Sequence, residues 1–187
     1  MTRIRKNLIF SLCALWLAFK NMKPALMIID MQKEFHQGET AGHMDKAAEY
    51  INYIRPKFEE KNLPVIWVQD LDEGEGVVPG TEGFDVIDSL APKKDSTVIH
   101  KRYGNSFTKT DVDKILKDAG VDTIVMTGFC AEFCVLSTYR GAKDLDYFPV
   151  ILKNGIASTE ESHKEFVEKI SETITAGMLE KILKEVT

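Results

Sequence analysis

The sequence predicts an α/β fold, a three-layer sandwich in which a doubly wound, mostly parallel sheet of about six strands carries helices on both faces. Two observations point there. From Pro24 onward, short apolar runs alternate with amphipathic stretches, the signature of successive βα units covering a parallel sheet. The chain has 187 residues, 44% hydrophobic and 28% charged, which suits one globular domain of roughly 100 to 200 residues.

The elements follow in order. Ala25 to Ile29 is wholly apolar and reads as a buried first strand. Met44, Ala47, Ala48, Ile51, Ile54 and Phe58 recur at the spacing of one helical face, and Pro56 is expected to kink that helix or end it early. Pro64 to Val68 is the second strand. Asp70 to Gly83 is rich in glycine and acid, has no periodicity and reads as a long loop, a type that is often functional in a compact domain. Thr97 to His100 is the third strand. Thr110 followed by Asp113 predicts a capped helix with Val112, Ile115, Leu116 and Ala119 facing inward, stopped by Gly120. Thr123 to Thr127 is the fourth strand, broken by Gly128. A helix bearing Val135, Thr138, Ala142 and Leu145 on one face leads to a fifth strand at Phe148 to Leu152. Ser158 with Glu161 predicts another capped helix. A short sixth strand near Thr173 to Thr175 and a closing helix around Leu179, Ile182 and Leu183 complete the chain.

Residues 1–22 stand apart from this domain, which is assigned to 23–187. Arg3, Arg5 and Lys6 precede an uncharged run, Leu8 to Phe19, in the order of a secretory signal. That run is shorter than the roughly 20 apolar residues a membrane span needs, and no small-x-small cleavage site follows it. Three readings stay open: a targeting segment, a hydrophobic helix docked on the body, or an extension upstream of a start at Met22.

Charge and cysteine usage exclude several functions. The net charge is −5, yet the first 23 residues hold five basic side chains and no acidic one, leaving 19 basic against 29 acidic residues in the remainder. So acidic a body is a poor ligand for nucleic acid, whose affinity comes from Lys and Arg on phosphates. Three cysteines make no disulfide framework, which favours a reducing, cytoplasmic setting without stable membrane insertion. His36, His43, His100 and His163 are scattered, so no zinc spacing forms and no metal or other cofactor is expected. Nor does a glycine-rich phosphate turn follow the first strand.

In open α/β sheets, ligands bind beyond the carboxyl ends of the strands. Polar residues at those ends are Asp30, Asp70, Lys101, the segment Gly128 to Cys134, and Asn154. Cys134 is expected in the first turn of a helix, where the N-terminal dipole and free N–H groups favour a thiolate and can hold an oxyanion. Equally, a free cysteine is often a small buried apolar residue. Asp30 is either a loop acid capping local backbone or a base delivered to the crevice, and most lysines are simply solvated. Together, however, an acid, a cation and a thiol fall at one sheet edge.

Four ordered runs also carry a resemblance: Ile28 to Phe35 (IIDMQKEF), Pro79 to Gly83 (PGTEG), His100 to Phe107 (HKRYGNSF) and Thr127 to Thr138 (TGFCAEFCVLST). In order and spacing they resemble the isochorismatase-like cysteine hydrolases, over roughly Lys23 to Val186. The resemblance implies that family's Rossmann-like fold and a catalytic triad of Asp30, Lys101 and Cys134. It implies a cis peptide joining Phe129 to Cys130 and an oxyanion hole from the N–H groups of Cys130 and Cys134. It also implies hydrolysis of a carbon–nitrogen bond in a small amide or carbamoyl substrate through a thioester, and assembly as a homo-oligomer.

Departures narrow this expectation. The nicotinamidase branch of the family carries an Asp and His metal cluster after strand two, whereas Gln69 to Gly74 contains no histidine. True isochorismatases cleave a vinyl ether without needing a thiol, so Cys134 favours the amidohydrolase over that alternative. A non-catalytic α/β binding module is the third reading. Asn154 stands where the family commonly has an aspartate. Cys130 reads as a small pocket residue, with a redox partnership to Cys134 as a minor alternative. Phe35, Tyr103 and Phe133 are candidate substrate-pocket walls, and Phe107 fits either wall or core.

Overall fold

The computed structural model describes residues 22–186, so the expectations for Met1 to Asn21 lie outside the described residues. One six-stranded sheet is built from β1 (Pro24–Ile29), β2 (Val65–Asp70), β3 (Thr97–Lys101), β4 (Thr123–Gly128), β5 (Phe148–Ile156) and β6 (Thr173–Ile174), and every strand pair is parallel. The helices are α1 (Gly38–Glu60), α2 (Val112–Asp118), α3 (Leu136–Asp144), α4 (Glu161–Ile170) and α5 (Ala176–Glu185). Strand order is β3-β2-β1-β4-β5-β6. The chain winds outward from β1 to β3, then returns to β4 on the other side, so the switch point lies between the carboxyl ends of β1 and β4.

Side-chain alternation along the central strands builds the two covering layers. Leu26 and Ile28 of β1 pack with Met44, Ala47, Ile51, Ile54 and Phe58 of α1 and with Leu179 and Leu183 of α5. Ala25, Met27 and Ile29 face the other way, onto Val112 and Leu116 of α2, Tyr139 and Ala142 of α3 and Val167 of α4. Because both faces are covered, β1 and β4 are buried at all positions, which explains their continuous apolar sequences.

Several local expectations are corrected. Helix α1 does not stop or break at Pro56 but runs on to Glu60. A proline inside a helix forfeits a backbone bond at a cost of about 3 kcal/mol, yet Phe58, two residues further, is fully buried, and losing such an aromatic costs about 3–5 kcal/mol. Thr110 and Ser158 are not the N-caps of their helices. Helix α2 begins after Asp111 and α4 after Glu160, neither with a side-chain cap bond. Both hydroxyls donate elsewhere instead: Thr110 to the Ser106 carbonyl four residues back, and Ser158 to Glu132 across the fold. Thr175 caps α5, accepting from the Met178 N–H. Strand β5 continues past Leu152 to Ile156, so Asn154 lies within it, at φ +65°, with its side chain donating to the Tyr50 hydroxyl. Among the described residues no helix is long and apolar enough to cross a membrane.

Gly128 closes β4 at φ +116°, and a Cβ there would sit 2.0 Å from the Ile29 carbonyl oxygen. The glycine lets the β4 end lie against the β1 end, where the Phe129 N–H donates to that same carbonyl at 2.8 Å. Gly128→Ala is therefore expected to cost about 3–5 kcal/mol, since backbone strain and a backbone clash coincide. A urea midpoint shift matching less than 1 kcal/mol would show that the two strand ends can part without loss.

Candidate active site

Three chain segments converge at the switch point. Asp30 follows directly on β1 at φ +49°, and its N–H donates to the Val68 carbonyl at 2.8 Å. The left-handed backbone costs an aspartate about 1–3 kcal/mol, a strain that collects at functional sites, and it turns the carboxyl out of the strand alternation. Lys101 ends β3 in register with Asp70, the last residue of β2. Registered neighbours on parallel strands project to the same face. Cys134 sits in the single wide turn Ala131–Val135 that joins β4 to α3, rather than within a regular first helical turn.

The side chains meet at the Lys101 ammonium. Its Nζ lies 2.7 Å from Asp30 Oδ2, 2.8 Å from Asp70 Oδ1 and 3.4 Å from Cys134 Sγ. Asp30 and Lys101 are 0% and 1% exposed, so this is a buried ion pair, whereas Cys134 retains partial access. Asp30 Oδ1 is buried without a hydrogen-bond partner. It is an acceptor in waiting, at a position where an unmet carboxylate oxygen is otherwise costly.

Burial pushes the Asp30 carboxyl up to about 6, and the Asp70 charge adds to the rise while Lys101 opposes it. Burial also works against the Lys101 ammonium, but the combined attraction of Asp30, Cys134 and Asp70 outweighs it and holds the lysine well above its ordinary value. The thiol is the surprise. Burial first, and then the nearby Asp30 charge, push Cys134 up to about 12 in spite of Lys101. The expectation that a helix N-terminus keeps a thiolate here is therefore corrected. The resting site is a thiol beside an ionisable carboxylate and a fixed cation.

The segment carrying Cys134 is pinned by its own backbone. The Ala131 N–H donates to the Ala157 carbonyl at 2.8 Å, and those of Phe133 and Val135 to the Cys130 carbonyl at 3.1 and 3.2 Å. Neither Cys130 N–H nor Cys134 N–H takes part in these bonds. The Phe129–Cys130 peptide bond is cis. Both cysteines are free thiols. Cys130 Sγ is engaged with Glu132 Oε2 at 3.0 Å and Ser158 Oγ at 3.7 Å, and burial with the adjacent Glu132 raises it to about 12. Glu132, which no sequence signal singled out, also accepts from Ser158 Oγ at 2.7 Å and pairs with His163 Nδ1 at 2.7 Å, tying the turn to α4.

The aromatic candidates divide. Phe35 is partly buried against the core and stacks on Phe129, 5.4 Å between centroids. Tyr103 and Phe133 are 43% and 65% exposed, a rim rather than an interior wall. Phe107 stacks on Tyr147 in the core. Sequence reasoning missed Gln32, fully buried two residues after Asp30, whose side chain grips the Asp70 backbone from both sides. Its Oε1 accepts from the Asp70 N–H at 2.6 Å and its Nε2 donates to the Asp70 carbonyl at 3.0 Å. Among the described residues, no group of three or more His, Cys, Asp or Glu side chains is placed to hold a metal ion.

Comparison with known proteins gives the family and the fold. The family model described as Isochorismatase domain matches residues 24–178. The chain belongs to the isochorismatase family. It is 32% identical over 143 residues to isochorismatase family protein YddQ of Bacillus subtilis strain 168, covering 74% of this chain and 79% of that one. An isochorismatase-like hydrolase from Alkaliphilus metalliredigens superposes with a TM-score of 0.77 at 27% identity, covering 85% of this chain and 98% of that one. N-carbamoylsarcosine amidase from Thermoplasma acidophilum gives 0.73 at 27% identity, with 83% and 97% covered. This isochorismatase-family chain is thus a hydrolase by family, with the three-layer α/β fold.

Proposed function

We propose that this chain is a cysteine hydrolase that cleaves the carbon–nitrogen bond of a small amide or carbamoyl compound. The observation that carries the reading is the Lys101 ammonium held between a buried carboxylate at 2.7 Å and a thiol at 3.4 Å, at the carboxyl edge of the sheet. Further support comes from the likeness to an N-carbamoylsarcosine amidase.

In this reading the Cys134 thiol gives its proton to Asp30 as the sulfur attacks the carbonyl carbon, so the thiolate exists only while it is being consumed. Lys101 stabilises the developing sulfur charge and keeps Asp30 ionised beforehand. The oxyanion is assigned to the N–H groups of Cys130 and Cys134. As the tetrahedral intermediate collapses, the carbon–nitrogen bond breaks and the departing amine takes the proton held on Asp30. Water then attacks the thioester, passing a proton to Asp30 that returns to the sulfur when the carbon–sulfur bond breaks. Tyr103 and Phe133 form the rim over which a substrate enters, and Phe35 supports it from behind. The free thiols favour a reducing, cytoplasmic setting, and a homo-oligomer follows from the family resemblance.

The test is ammonia release from a panel of small amides, ureido acids and nicotinamide, each with and without a chelator. We expect chelator-resistant hydrolysis of at least one amide or ureido compound, with acyl-enzyme mass trapped on Cys134. A silent panel combined with turnover of a vinyl ether substrate would overturn the reading. The pH profile is a separate prediction. Asp30 must be ionised to accept the thiol proton, so kcat/KM should rise with pH through about 6 and then stay level to about pH 9, because Cys134 and Lys101 both titrate well above that range. A second ascending limb between about pH 7 and 9 would mean that the thiolate, and not the resting thiol, is the reactive form.

A further inference from the structure

We propose that Asp70 is a positioning residue of this site, holding the Lys101 ammonium between Asp30 and Cys134. The inference deepens the cysteine-hydrolase reading and rests on it for Asp30 and Cys134, but its own observations are separate. A lysine ammonium has three N–H donors and no acceptor. All three are directed at protein groups here: Asp30 Oδ2 at 2.7 Å, Asp70 Oδ1 at 2.8 Å and Cys134 Sγ at 3.4 Å. Without the Asp70 carboxylate, one donor is free and the flexible four-carbon arm regains the rotation that lets it leave the acid or the thiol.

Asp70 is itself held in place. Its register opposite Lys101 in the parallel β2–β3 pair brings both side chains to one face, and Gln32 fixes its peptide groups at 2.6 and 3.0 Å. Gln32 Nε2 also reaches the Phe84 carbonyl at 3.2 Å, as does Gln69 Nε2 at 2.7 Å, so the loop after β2 is anchored to the same support. The buried Gln32 amide fixes the Asp70 backbone, while the carboxylate keeps 25% of its side-chain surface open to solvent.

The charge has a second consequence. The groups facing Lys101 are Asp30 from β1, Asp70 from β2 and Cys134 from the turn after β4. The adjoining pair Arg102–Glu73, at 2.8 Å, lies at the solvent edge. With two carboxylates against one ammonium, the Asp70 charge also adds a small upward push on Asp30, against the larger downward one from the lysine it holds.

Asp70→Asn keeps the shape and an acceptor oxygen but removes the charge, and Glu75→Gln, on the exposed part of the same loop, controls for net charge alone. Two readouts are compared with wild type. The acid limb of kcat/KM on the best panel substrate should move to higher pH, because Lys101 opposes the rise of Asp30 more strongly than the Asp70 charge adds to it. The rate at which iodoacetamide alkylates Cys134 at pH 8, followed on the isolated peptide by mass spectrometry, should fall several-fold as the lysine charge leaves the sulfur, and Glu75→Gln should move neither. Thermal unfolding lowered in Asp70→Asn with both readouts unmoved would reduce Asp70 to a structural role and overturn the proposal. If the amide panel is silent but alkylation slows, the substrate reading fails while the placement of Asp70 stands. If amides are hydrolysed and alkylation is unmoved, the placement fails alone.

Discussion

Cys134→Ala is expected to lower hydrolysis by about 10⁴-fold or more while leaving the fold intact, because it removes the only atom in this site that can form the covalent intermediate. The side chain is partly accessible and packs at the margin of the core, so its loss creates little cavity and the unfolding midpoint should change by less than about 1 kcal/mol. The residual rate matters too. Asp30 and Lys101 remain paired at 2.7 Å, and substrate binding and the backbone donors survive, so catalysis above the uncatalysed reaction should persist at a low level. Cys134→Ser is the companion variant. Its hydroxyl is a far weaker acid than the thiol, and the Asp30 carboxylate, at about 6, is too weak a base to activate it, so serine should restore little. Activity in Cys134→Ala within tenfold of wild type would remove the thiol from the mechanism.

Lys101→Met should damage activity and stability together. Methionine approximates the length of the aliphatic arm and removes the charge, leaving Asp30 buried and unpaired, a loss of about 3–5 kcal/mol where the acid stays ionised. The acid escapes part of that cost by keeping its proton. Lys101 is the chief influence opposing the upward push of burial on Asp30, so in the variant the folded-state pKa moves further above the unfolded value near 3.9. A carboxyl raised in this way binds more protons folded than unfolded, and stability is lost as pH increases. The deficit relative to wild type should therefore widen between about pH 5 and pH 8, with hydrolysis at neutral pH falling by about 10³-fold because the base is protonated. Unfolding midpoints across that range and steady-state rates check both. Adding Asp30→Asn to Lys101→Met should recover much of the stability and none of the activity, since neutralising both members removes the unpaired charge. A pH-independent stability deficit would show that packing, and not the ion pair, is what Lys101 supplies.

The legible part of this protein is the part set by periodicity and by strand ends. The helical stripe from Met44 to Phe58 and the continuous apolar strands at 25–29 and 123–127 could be read because burial on one or both faces demands those spacings. Helix boundaries were less legible. Thr110 and Ser158 have the residue types of caps, but the Ser106 carbonyl in the preceding turn and the distant Glu132 claimed their hydroxyls, and Pro56 was carried through its helix by the burial of Phe58 on the far side. Asn154 reads as a loop residue because of its composition, whereas pairing of β5 draws it into the strand.

The same division holds at the site. From the chain alone came the α/β architecture, the acid, cation and thiol at the carboxyl ends of strands one, three and four, and the four motif runs that mark the family. Each is a property of local sequence, since strand direction delivers those ends to one edge whatever the order of the strands. Only the tertiary structure decided that β1 lies between β2 and β4, which closes Asp30, Lys101 and Cys134 to within contact of one ammonium. It also decided the roles. The β2–β3 register brings Asp70 onto Lys101, Gln32 grips Asp70 from a turn 38 positions away, and burial leaves a thiol at rest where a helix terminus alone predicts a thiolate. Protonation depends on desolvation and on charges distant along the chain, and those quantities exist only once the sheet has formed.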